Sequence, residues 1–255
     1  MTIAVLSTGD ELTHGDTLNT TGQVFSAALS AAGFPMGMHL TCGDKADELA
    51  LAIDFLAAHH QTVIITGGLG PTSDDRTRFA LAEYLGIDLV TYPDVLTHIK
   101  TCIEAVNLKL GTDLVLNEGQ RAQALFPEGA ALFDNPTGTA LGYAYQHHAQ
   151  QFIVLPGPPK ECLPMFEQYT LPYLKQNLTP SSKVCLKWQL FGVPEGSTSE
   201  QLEAALSDIP CQVGYRLARA DEKPYLEFKV RCEAAWVPRV RALIDIIAKP
   251  YASSQ

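Results

Sequence analysis

The sequence predicts an α/β domain with a mostly parallel sheet, followed by a small α+β unit, and three observations carry that expectation. Over the first 175 of 255 residues, short apolar runs alternate with amphipathic stretches, the pattern of strands joined by helices. Polar, glycine-rich segments recur where the runs give way to helices. The charge shifts along the chain as well: of a net −10, residues 180–255 hold ten Lys and Arg against nine Asp and Glu, leaving eight against 19 before them. Two domains are expected, 1–175 and 183–255, with a polar linker over 176–182.

The elements follow in order. Residues 3–7 read as the first strand, and Phe25, Leu29 and Ala32 recur at helical spacing before Gly33, which suits a C-terminal cap. A second strand covers 36–41. Asp44 then occupies the position of an N-cap for "KADELALAIDFLAAHH", where Leu49, Ile53 and Leu56 share one face. Residues 62–66 form the third strand, and the helix behind its loop spans 76–85, closed by Gly86. Further helices are expected over 94–110 and 118–125, an apolar strand over 152–155, and a helix ending near Leu174. The small unit reads strand, helix, strand, strand, helix over 184–191, 198–206, 212–217, 225–232 and 237–247.

Composition excludes several classes of partner. No apolar run approaches the roughly 20 residues that cross a bilayer, so no membrane partner is expected. "MTIAVLSTGDEL" lacks the basic start and long apolar run of a secretory signal, which predicts a cytoplasmic location. Six cysteines without a C-x-x-C pair read as reduced, buried small hydrophobes, and seven histidines without an H-x-x-x-H pair give no support to a histidine-built metal site. The acidic balance repels nucleic acid at long range, and none is expected as a partner.

The chemistry concentrates in "VIITGGLGPTSDDRTR", residues 63–78. Gly67, Gly68 and Gly70 let the chain turn sharply after a strand and leave amides uncovered, and Pro71 stiffens the exit. Such amides ahead of a helix attract anionic oxygens. The loop has neither the G-K-[ST] ending of a Walker A loop nor the third glycine of a dinucleotide fingerprint. Thr72, Ser73, Asp74 and Asp75 precede a helix that needs one cap, so a second carboxylate beside an anion site implies a cation between them. Mg²⁺, or another divalent cation, is expected there, with Asp44 as a third carboxylate and with Asp10 and Glu11 at the first strand end. Ligand crevices of open α/β sheets lie at strand carboxyl ends, where these segments converge.

Four motifs, "TGDELTHGDTLNTTGQ", "TGGLGPTSDDRT", "PEGAALFDNPTGTALGYA" and "LPGPPKECLPMF", occur in order over residues 3–175. In them the sequence resembles the molybdopterin-binding-like domain family (MogA/MoaB-like), and most closely the amino-terminal part of the competence/damage-inducible CinA proteins. The resemblance implies a three-layer α/β/α domain and a KH-like small unit. Relatives that make molybdenum cofactor use acids that map onto Asp44 and Asp75. CinA proteins are linked to metal-dependent ADP-ribose hydrolysis at this domain and to nicotinamide mononucleotide deamidation at a separate carboxyl-terminal domain. With the chain ending at Gln255, the deamidase is expected to be absent. Thr21 stands where the pattern has a second asparagine, and Gly119 and Gln120 where paired asparagines are common; these positions would line the nucleoside or ribose end. The small unit lacks G-x-x-G, so RNA binding is not carried over.

Three functions follow from the resemblance: a Mg²⁺-dependent pyrophosphatase acting on ADP-ribose or a related nucleotide, a pterin-binding or adenylating protein of molybdenum-cofactor synthesis, or a nucleotide-binding module without catalysis. In the first, Asp44 and Asp75 are the catalytic acids and, with Asp74, hold the metal. The substrate is held by Gly9, Glu11 and Asn19; by Gly67, Gly68, Leu69, Gly70, Pro71 and Thr72; by Asn135, Pro136, Thr137, Gly138 and Thr139; and by Gly157, Pro158 and Glu161. The partner expected is a nucleotide or pterin phosphate, and a homo-oligomer is expected, a dimer ahead of a trimer.

Overall fold

The computed structural model describes residues 2–220 and 223–251. The chain divides into two compact units, Met1–Pro180 and Ser181–Gln255. The first runs β1 (Ile3–Thr8), α1 (Asp10–Thr13), α2 (Thr21–Ala31), β2 (Met36–Cys42), α3 (Ala46–His59), β3 (Thr62–Thr66) and α4 (Thr77–Leu85). It continues with β4 (Leu89–Thr91), α5 (Pro93–Leu110), α6 (Glu118–Ala122), β5 (Leu125–Pro127), β6 (Ala131–Phe133), β7 (Gly142–His147), β8 (Gln150–Leu155), α7 (Pro159–Met165) and α8 (Leu171–Asn177).

Six strands form the main sheet in the order β2-β1-β3-β8-β7-β6. The first four are mutually parallel, and β7 and β6 are antiparallel to their neighbours. Strands buried on both faces must be apolar at every position, which is why β1 and β3 read as unbroken runs. Their side chains alternate between two cores. Ala4, Leu6, Val63, Ile65, Phe152 and Val154 join one that also takes the faces of α3, α4 and α5. Ile3, Val5, Ile64, Ile153 and Leu155 join the other, under α2, α7 and α8. Helices thus cover both faces, giving three α/β/α layers.

The helix boundaries have local causes. Gly33, at φ 82°, turns the chain out of α2, and Gly86, at φ 64°, closes α4. Two expectations are corrected here. The helix expected over 118–125 stops at Ala122, because Leu125–Pro127 pairs with β4 as a strand and buries Phe126 against Tyr92 and Tyr143. Asp44 is not the N-cap of α3: Lys45 takes that position without a side-chain capping bond, while Asp44 is bound to the β1 loop. The helix α8 also continues to Asn177, into the span read as linker.

The second unit carries its own core. Strands β9 (Lys183–Phe191), β10 (Cys211–Ala220) and β11 (Lys223–Glu233) form an antiparallel sheet in the order β10-β11-β9. Helices α9 (Glu195–Ala205) and α10 (Val237–Ala248) pack on the face bearing Leu186, Leu190, Leu226, Phe228 and Val230. Among the described residues no helix is long and apolar enough to cross a membrane.

Under α2, the ring of Phe25 stacks on that of Phe166 with centroids 3.9 Å apart, both fully buried. Phe166→Ala is expected to lower unfolding free energy by about 3–5 kcal/mol, read as a lower urea midpoint at unchanged slope.

Candidate functional site

Because β2, β1, β3 and β8 run parallel, the loops that follow them emerge at one edge of the sheet, and the loop entering antiparallel β7 joins them there. The strand β1 pairs with β2 on one side and β3 on the other, so the chain order reverses beside it and opens a crevice. The crevice encloses about 610 Å³, within the range of small-molecule sites.

The glycine loop after β3 forms its floor. Gly67 and Gly68 have φ of 106° and 65°, and a Cβ on either would collide with Thr8 or Thr77. Only glycine lets this loop pass so close to the end of β1. The Gly67 N–H donates to Leu155 O at 3.0 Å, tying the loop to β8. The Asp75 carboxylate turns back into the loop, accepting from Gly70 N–H at 2.7 Å, Thr72 N–H at 2.8 Å and the Thr72 hydroxyl at 2.5 Å. Three of the loop's amides are therefore engaged within the protein. Those of Gly68 and Leu69 have no backbone acceptor among the described residues, and both residues line the crevice.

The acids after β1 and β2 hold each other's backbone. Asp10 N–H donates to Asp44 Oδ2 at 2.9 Å, and Asp44 N–H donates to Asp10 Oδ1 at 3.1 Å. This exchange presents Asp44 to the crevice instead of to its helix. Burial raises the Asp44 carboxyl above its ordinary range, the bond from Asp10 N–H opposes that, and the charges of Asp10, Glu11 and Asp74 raise it further.

On the opposite wall, Asn135 organises the turn before β7. Its Oδ1 accepts from the N–H groups of Thr137 and Gly138, both at 3.0 Å. Its Nδ2 donates to Ala140 O and, at 2.7 Å, to Glu161 in the first turn of α7. Asn135, Pro136 and Thr137 thus build the wall without lining it, and Thr72 likewise serves Asp75 from outside the lining.

The other expected positions are brought together: Gly9, Glu11 and Asn19 from the first loop, Asp44 from the second, residues 67–71 with Asp74 and Asp75, Gly138 and Thr139, then Gly157, Pro158 and Glu161. Gly119 and Gln120, expected at the nucleoside end, are outside the lining, Gly119 packing behind Pro71, which does line it. Gln120 closes a capping box with Asn117, and a Cβ on Gly119 would strike the carbonyl of Pro71. Sequence reasoning passed over Thr8, Gln123 and Arg78. The last is legible as a charge sharing a helical face with Leu81, Ala82 and Leu85.

The lining holds five carboxylates, Glu11, Asp44, Asp74, Asp75 and Glu161, and no Lys, Arg or His. Among the described residues no three His, Cys, Asp or Glu side chains converge to bind an ion unaided. The expected set of Asp44, Asp74 and Asp75 is thus not a preformed cage, because Asp75 is drawn into its own loop. The residues fit a divalent ion that takes one or two carboxylates and completes its shell with water and phosphate oxygens, which is the habit of Mg²⁺.

Comparison with known proteins agrees with the architecture. The family model described as "Probable molybdopterin binding domain" matches residues 4–176. A CinA-like protein of Geobacter sp. is 34% identical over 94% of this chain and 56% of its own length. A CinA-like protein of Dictyoglomus thermophilum is 42% identical over 68% of this chain and 41% of its own. The chain thus spans about half the length of the curated relatives it matches. The crystal structure of CinA from Thermoplasma acidophilum, titled as of unknown function, superposes with a TM-score of 0.58 at 27% identity, over 69% of this chain and 96% of that one.

The packing of Gly67 on β1 gives a test. Gly67→Ala is expected to lower stability by about 1–3 kcal/mol, since a strained left-handed backbone is combined with a collision at Thr8. A chemical-denaturation curve measures it.

Proposed function

The chain belongs to the molybdopterin-binding domain family, in its CinA-like branch, and from that premise we propose that the cleft binds ADP-ribose or a related nucleotide diphosphate together with Mg²⁺ or a similar cation and hydrolyses the pyrophosphate bond. The observation that carries this reading is the lining of five carboxylates and no base beside the amides of Gly68 and Leu69, which have no backbone acceptor among the described residues. Two like charges 5 Å apart in a partly protein environment repel by roughly 3 kcal/mol. A bare pyrophosphate facing several carboxylates is therefore excluded, and one carrying a divalent cation is attracted.

Asp44 and Asp74 would hold the ion, with Asp75 reached through water. When bound, the ion supplies charge neutralisation at phosphoryl oxygens and lowers the pKa of its water. The protein's own groups do the remainder. The amides of Gly68 and Leu69 bind phosphate oxygens, with no reorganisation of a loop already fixed at Leu155 and Asp75. Asp44 has one oxygen held by Asp10 N–H and a second free to orient the attacking water. Glu161, fixed by Asn135, would accept from substrate hydroxyls.

The test is incubation of the purified protein with ADP-ribose in Mg²⁺, in Mn²⁺ and in chelator, with products resolved by chromatography. AMP and ribose 5-phosphate are expected only with metal. Adenylation of molybdopterin from ATP would move the chain to cofactor synthesis, and tight metal-dependent binding with no turnover would make it a nucleotide-binding module. In Asp44→Asn the turnover is expected to fall about 10²-fold or more. Its melting temperature is expected to hold or rise, because a carboxylate disfavoured by burial and by the charges of Asp10, Glu11 and Asp74 is neutralised.

A further inference from the structure

We propose that Arg78 is a positioning residue for this cleft, setting the Asp75 carboxylate through a single peptide unit, an inference that rests on the role given to Asp75 above. Arg78 stands in the first turn of α4 and is 1% exposed, among the largest fully buried side chains of the molecule. Among the described residues it has no carboxylate within ion-pair distance. Burying a charge costs several kcal/mol unless close contacts offset it. Its contacts are two backbone carbonyls: the guanidinium donates to Leu69 O and to Ala122 O.

Leu69 O is the convergence point. It also accepts from Gln123 Nε2 at 3.3 Å, and Gln123 Oε1 accepts from the Thr139 hydroxyl at 3.2 Å. Two buried donors therefore hold one carbonyl of the glycine loop on its inner side. In a trans peptide the C=O and the following N–H point in opposite directions. Fixing Leu69 O inward aims Gly70 N–H outward, and that N–H is the one received by Asp75 Oδ1 at 2.7 Å. Arg78 and Asp75 are thus bonded to the two ends of the same planar unit. The charge of Asp75 also acts on Arg78 directly, opposing the effect of burial, which lowers the guanidinium's pKa.

An arginine that merely filled space would affect stability alone. A positioning role predicts more. In Arg78→Met, assayed with Mg²⁺ and ADP-ribose well below the melting temperature, kcat is expected to fall about 10²-fold, the effect of a misplaced reacting group, with KM within about threefold. Hydrogen exchange of the Gly70 amide, followed by NMR, is expected to accelerate at least tenfold, more than amides of β3. Arg78→Lys, which keeps the charge and reaches one of the two carbonyls, is expected to recover part of each loss, leaving kcat about tenfold below the parent and Gly70 exchange still faster than in the parent. A folded Arg78→Met with unchanged kcat, or one whose Gly70 amide exchanges as in the parent, overturns the proposal. If Arg78→Met fails to fold, the same readings on Arg78→Lys decide, with a kcat loss and faster Gly70 exchange expected, and parent values overturning it. Should the parent protein cleave no ADP-ribose, the hydrolase reading fails by itself, and Gly70 exchange still judges the link to Asp75.

Discussion

Carboxylates that face one cavity with no cation beside them repel each other, and this fold sets five around a crevice that no Lys, Arg or His lines. That arrangement persists because the scaffold beneath it is over-determined. Four parallel strands hold the loop ends in place, three of them, β1, β3 and β8, buried on both faces, and two separate cores hold the strands. The Asp44 carboxyl is raised first by burial and then by the charges of Asp10, Glu11 and Asp74. In the function proposed above, a cation relieves that repulsion and brings a phosphorylated ligand with it.

The loops are held by their own hydrogen bonds and also by exchanges between them. Asp10 and Asp44 bind one another's amides across two strand ends. Asn135 joins its own turn to Glu161, and Gly67 joins the glycine loop to β8. Each link crosses between segments distant in sequence, so the site exists only when the sheet does. Local opening of any one loop leaves amides and carboxylates unpaired, which favours a closed, preformed crevice over one assembled on binding.

How much of this was legible in the sequence depended on the range of the interaction. The apolar runs of β1 and β3, the shared face of Leu49, Ile53 and Leu56, and the glycines that end α2 and α4 all express local periodicity, and the structure has them where that periodicity puts them. The convergence of the loops followed from parallel order alone. What escaped were properties set by partners far along the chain. Asp44 looks like a helix cap until Asp10, 34 residues away, claims it. Residues 123–125 look helical until Phe126 finds Tyr92 and Tyr143. Asp75 read as a side chain free for metal, whereas the turn it faces offers it three donors. Gly119 read as a missing polar group, and its real constraint is the Pro71 carbonyl lying against it. The four motifs nevertheless named the family correctly, because loop sequences under so many mutual constraints leave few alternatives.

The central claim is that this acidic crevice accepts a diphosphate only as its cation complex. Titration calorimetry with a non-hydrolysable α,β-methylene analogue of ADP-ribose tests it most directly, run once in Mg²⁺ and once in chelator. The account predicts saturable one-site binding in Mg²⁺ and no measurable heat in chelator. Equal affinity in both would contradict it, since the carboxylates would then not be what decides entry.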